Sequence, residues 1–183
     1  MSKIRSAISG SWLTTPLREA KESDVNRRRL SIYLNDHLAA SDVILARARA
    51  SIRSNRGTTL ADALEDFRRE AADERRALVE MMHRLELRRA RIKELAALTT
   101  ARAGRLKLNG RLLRYSPLSR LEELELFAAG AAFKAHLWET LKILSEDDAR
   151  LDAGALEALL QQARAQQEVL GSLRREWVHQ AFS

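Results

Sequence analysis

At 183 residues and 45% hydrophobic content, the chain is long enough for one compact domain with a sizeable core and too short for two comfortable ones. It contains no cysteine, which excludes a disulfide framework, a thiolate metal site and a cysteine nucleophile. A net charge of +7 leaves nucleic acid or an acidic surface open as a partner, although arginine is interleaved with Asp and Glu along most segments, the pattern of a solvated mixed-sign face.

Only 7 Gly and 2 Pro, among abundant Ala, Leu, Arg and Glu, is the composition of a mostly helical protein. Residues 1–15 read as a flexible arm without the apolar core of a signal peptide, and Thr15-Pro16 as the cap and first position of a helix. No apolar run of about 18 residues follows, so a soluble cytoplasmic protein is expected. In the first long helix Leu30, Leu34, His37, Ser41, Ile44, Ala48 and Ile52 recur at spacings of 4 and 3 and form one stripe, which ends at Asn55-Arg56-Gly57. Thr58 or Thr59 caps a second helix with the seam Leu60, Leu64, Phe67, Ala71, Glu74, Leu78, Met81 and Leu85. So short a turn makes the two an antiparallel hairpin.

A shorter helix is expected over residues 89–103, stopped by Gly104. Asn109-Gly110 then lies between short alternating runs, a hairpin signal, although an extended strap fits the stretch equally well. Ser116-Pro117 opens a further long helix that is apolar almost all round, with Leu121, Leu124, Phe127, Ala131, Ala135, Trp138 and Leu141 on one side and Leu126, Phe133, Leu137 and Leu144 on the other. Burial on more than one face is the expectation for such a helix. Gly130, among alanines, would let a neighbour approach closely. Asp152 begins the last helix, with Leu156, Leu160, Ala163, Gln167, Leu170, Leu173 and Trp177 on its seam.

Between the two helical hairpins lie residues 87–116, far more chain than adjacent antiparallel helices need. A connector of that length can climb the height of the bundle, so the third long helix runs parallel to the second. The expected fold is therefore all-α: a four-helix bundle over 16–183, with a long crossover that holds a short extra helix and either a small hairpin or a strap pinned by Leu106, Leu108, Leu112 and Leu113.

This order of elements, with the segments YLNDHL, GRLKLNGRLL and YSPLSRLEELEL, resembles the ferritin-like superfamily and is similar to uncharacterised bacterial proteins of that architecture. The resemblance spans roughly residues 30–145. Iron-binding members carry a Glu on two helices and Glu-x-x-His on the other two, and the chain is read as lacking that spacing altogether. Counting residues from the turns puts His37, Glu74, His136 and Glu139 at one height, a set whose imidazoles and carboxylates suit iron, manganese or zinc. The preferred reading of the same residues is a structural polar layer that fixes helix register. Glu125 is a further carboxylate with a path inward, expected to meet an arginine of the crossover.

No nucleophile arrangement and no phosphate-binding loop is present. The leading expectation is thus a non-enzymatic bundle without cofactor that works by self-association or protein partner binding, with Trp12, Trp177 and Phe182 as apolar groups in terminal segments. The alternatives are a ferritin-like metalloprotein or oxidase at the quartet above, and nucleic-acid binding through the basic crossover residues Arg102, Arg105, Lys107, Arg111 and Arg114, with Arg120 beside them and Tyr115 to stack. The stretch Leu170-Gly-Ser-Leu-Arg-Arg175 also resembles tails that dock cargo into bacterial encapsulin shells, although it falls inside a helical pattern.

Overall fold

A computed structural model describes residues 26–90 and 116–183. They form α1 (Arg27–Ser54), α2 (Thr59–Arg84), α3 (Pro117–Leu144) and α4 (Ala153–Ala181). Among the described residues there is no strand, and no helix is long and apolar enough to cross a membrane. The crossover with its expected extra helix and hairpin lies, from residue 91 to 115, outside the described residues, as do the arm and the first helical residues expected after Pro16.

Local chemistry sets the helix ends. Asn26, Thr58, Ser116 and Asp152 are extended, and each side chain accepts the backbone N–H three residues on, replacing a bond the first turn lacks. Gly57, at φ +78°, takes the left-handed conformation that turns the chain from α1 into α2. After α2 the same role falls to Glu86, at φ 55°, and the Leu87 N–H closes the turn on Met82 O at 2.8 Å.

Cross-helix contacts fix the directions. Between α1 and α3, Arg47 meets Glu123 and Tyr33 meets Thr140, so the two are antiparallel. Between α3 and α4, Glu125 meets Arg174 and Lys142 meets Glu157, again antiparallel. Phe67 packs on Phe127 and Glu74 meets Lys134, so α2 and α3 run in the same direction. Counting from the turns puts Glu74 at the height of His136, and its partner on α3 is Lys134. Helices α1, α2, α4 and α3 follow one another around the bundle.

The core falls into two apolar halves. One, around Leu34, Leu78, Met82, Trp138 and Leu156, fills the end where α2 finishes. The other, around Leu45, Leu64, Phe67, Phe127 and Leu170, fills the end holding the α1–α2 turn. All eight expected seam residues of α2 are buried. Gly130 allows the close approach expected of it, because a Cβ there would lie 2.9 Å from Ile44 Cδ1. Three expectations are corrected. The second side of helix α3 is buried only in part, since Leu137 is buried and Leu144 half-buried while Leu126 and Phe133 are exposed. On α4 the buried glutamine is Gln166 rather than Gln167, because the 4–3 alternation changes phase after Ala163. Glu125 is exposed on Arg174 of α4, and its near neighbour Glu123 is the carboxylate that turns inward.

Candidate functional site

Between the two apolar halves each helix contributes polar side chains to one layer. Glu74 replaces a hydrophobic residue on the α2 seam between Ala71 and Leu78, and Lys134 and Gln166 do the same on α3 and α4. The Glu74 side chain is 1% exposed and that of Lys134 12%. Lys134 Nζ lies 2.6 Å from Glu74 Oε2 and donates to Gln166 Oε1 at 2.6 Å. Gln166 Nε2 donates to Glu74 Oε1 at 2.7 Å and to Glu70 Oε2 at 2.8 Å. The result is a closed ring of three side chains from three helices, with Glu70 at its rim. The ammonium also sits 5.4 Å from the Phe67 ring centroid.

Burial pushes the Glu74 carboxyl above the ordinary carboxylate range, against the opposing pull of Lys134 and Gln166. Burial likewise pushes the Lys134 ammonium below its ordinary value, opposed by Glu74 and Glu70. Each partner's charge thus opposes the neutralising effect of burial on the other.

His37 supplies the α1 side of the layer. Its ring stacks on Phe133 at 3.8 Å between centroids and meets the edge of Tyr33 at 4.6 Å. Desolvation, and then the charge of His136, lower its pKa from 6.5 to about 4, so the imidazole is neutral at pH 7. Its Nε2, like Trp138 Nε1, is buried without a hydrogen-bond partner among the described residues. Beside His37, Ser41 and Lys134 is a pocket with room for little more than one water molecule.

A second polar cluster closes the end near the α1–α2 turn. Glu123 accepts from Arg47 Nη2 and Ser51 Oγ, both at 2.5 Å. Asn55 accepts from Arg120 Nε at 2.7 Å, and the Arg120 guanidinium lies 4.9 Å above the Trp177 ring. These bonds tie the start of α3 to the end of α1 and to α4.

The expected quartet is only partly brought together. His37 and Glu74 are interior, whereas His136 and Glu139 are exposed, and Glu139 faces Arg164 at 3.4 Å. Glu74 is engaged by Lys134 and Gln166. Among the described residues no group of three or more His, Cys, Asp or Glu is arranged to hold a metal ion. The Glu-x-x-His spacing does occur elsewhere, at Glu80–His83 and Glu176–His179, a pattern overlooked at the level of sequence. Those two pairs are exposed at opposite ends of the bundle, and Glu80 is paired with Arg84. The basic crossover residues Arg102, Arg105, Lys107, Arg111 and Arg114 lie outside the described residues. No family model, curated protein or solved structure matches the chain.

Neutral His37 gives a pH signature. Below pH 6.5 the unfolded chain takes up a proton at this residue while the fold refuses it until about pH 4, so the contribution of the neutral ring is lost as pH falls through that window. Urea unfolding at pH 7 and pH 5 is expected to show a loss on the order of 2 kcal/mol from this group. His37→Phe keeps an aromatic ring on Phe133 and removes the titration, so its stability should fall less between the two pH values than that of the unsubstituted chain.

Proposed function

We propose that the protein is a non-catalytic helical bundle that works by association, first of all with a second copy of itself, through the C-terminal half of α4. The carrying observation is that the interior polar groups of the central layer bond mainly to one another, whereas Val169 of α4 is exposed at 55% and Phe182, the residue that caps its C-terminal end, at 74%. Trp177, between them in sequence, is half-buried beneath Arg120. Large apolar side chains held on a rigid helix are the usual anchors of an interface. The parallel run of α2 and α3 supports a ferritin-like topology for the scaffold, here with an ammonium inside its polar layer.

Light scattering on the full chain tests the reading. The expected result is a mass at least twice 20.7 kDa at high concentration. Val169→Glu with Phe182→Ser should return it to the monomer with helicity unchanged. A strict monomer across the whole concentration range would overturn self-association.

A further inference from the structure

The net charge of +7 is unevenly spread. Helix α1 carries six arginines and two aspartates, whereas α2 carries five arginines and seven acidic residues. Pairing is uneven in the same way. Every lysine and arginine of α2, α3 and α4 makes an ion pair or a side-chain hydrogen bond. Among the described residues the side chains of Arg28, Arg29, Arg49 and Arg53 on α1, of Arg56 in the turn after it, and of Arg88 and Arg89 after α2 make none, and all are exposed. A guanidinium without a counter-charge in its own chain is free to take one from a partner.

Two sets of contacts show which edge of α1 most of these residues occupy. Asp42 pairs with Arg75 of α2 at 2.6 Å, and Asn35 holds Arg88 O at 3.1 Å and the Ala90 N–H at 2.7 Å. Asn35 and Asp42 therefore mark the edge beside α2. Seven residues is close to two helical turns, so Arg28, seven before Asn35, and Arg49, seven after Asp42, extend the same edge. Arg53 and Arg56 continue it at spacings of 4 and 3. Arg88 and Arg89 join the Arg28 end, because the chain from Leu85, held by Arg27 at 3.0 Å, to Ala90 follows α1 there.

The edge thus carries two basic clusters separated by Asn35 and by Asp42, whose charge Arg75 cancels. From Arg28 to Arg49 is about 32 Å, and to Arg53 about 38 Å, at 1.5 Å per residue. One turn of duplex DNA is about 34 Å, so a single side of the duplex presents phosphate backbone, groove and backbone again at that interval. Charge, gap and charge along α1 have the same period. The line holds no aromatic side chain on which an unstacked base could lie, and no large apolar one to enter a lipid surface.

We infer that the edge of α1 beside α2 docks the phosphate backbone of duplex DNA, without reading its sequence, one cluster on each of two backbone crossings a turn apart. Helix α1 lies diagonally across the bundle from α4, so this surface is separate from the one through which the chain associates with itself.

Fluorescence anisotropy of a labelled duplex of about 24 base pairs, titrated with the full chain, tests the inference. Binding should weaken by at least about ten-fold between 50 and 200 mM salt. Arg49→Gln, Arg53→Gln and Arg56→Gln together should weaken it about ten-fold at low salt and lower the salt slope by about three, with circular dichroism unchanged. Arg28→Gln, Arg88→Gln and Arg89→Gln together should do the same. Arg164→Gln with Arg175→Gln on α4 should leave binding as it is. A duplex of about 8 base pairs, roughly 27 Å long, cannot reach both clusters and should bind the unsubstituted chain no more tightly than either triple variant binds the long one. Absence of binding, binding indifferent to both triple substitutions, or a single strand bound as tightly as the duplex would overturn the inference. Binding to vesicles of phosphatidylserine and phosphatidylcholine in place of the duplex, lost in the same variants, would assign the edge to a membrane surface and overturn it as well.

Discussion

Lys134→Met is expected to destabilise the protein by about 3–5 kcal/mol, because it leaves the Glu74 carboxylate in a nearly dry interior without its cation. Glu74→Leu should cost a similar amount for the converse reason. Attraction between the two charges in a low-dielectric interior offsets the desolvation of both only while both are present. The triple replacement Glu74→Leu, Lys134→Met, Gln166→Leu removes the desolvation penalty along with the attraction, and should recover most of the loss or exceed the original stability. Urea titrations of the variants check this. A Lys134→Met protein within about 1 kcal/mol of the original would show that the pair is solvated as a surface pair is. The triple variant bears on why the layer exists. One polar residue from each of three helices accepts only one longitudinal alignment, since sliding any helix by a turn puts a charge or an amide among leucines.

The second large effect belongs to the apolar halves on either side. Phe127→Ala and Trp138→Ala should each lower stability by about 3–5 kcal/mol, as both rings are essentially inaccessible and neither site can collapse without moving two helices. The two positions lie about 16 Å apart along α3, by 1.5 Å per residue, with the polar layer between them. The milder pair Phe127→Leu and Trp138→Phe should therefore act additively within about 0.5 kcal/mol. A coupling well beyond that would mean that the polar layer transmits strain and that the halves form one continuous core.

The helical frame was legible because periodicity carries it. On α2 the seam keeps an unbroken 4–3 spacing with a charged residue in every interval, and each expected position is buried, Glu74 included. The shared direction of α2 and α3 followed from the length of the connector alone. Helix α3 misled through composition. With apolar residues nearly all round, periodicity gives no preferred side, and Leu126 and Phe133 were placed inside. Lys134 had a readable signal: Phe127, Ala131, Lys134, Trp138 and Leu141 alternate at 4 and 3, which puts a lysine on the buried seam. Gln166 and Gln167 differ only in the phase of that alternation, and packing decides between them. Glu123 had no comparable signal, because three glutamates share its turn and only the approach of α1, with Arg47 and Ser51, selects one.

The interior layer holds its own cation, and the whole functional reading depends on that. Titration of the full chain with manganese, iron(II) and zinc, followed by calorimetry and by the histidine signals of His37, addresses it directly. The account predicts no stoichiometric uptake in the interior, and any weak binding unchanged by Glu74→Gln. Uptake of one or more ions per chain that perturbs His37 and disappears in a folded Glu74→Gln variant would contradict it.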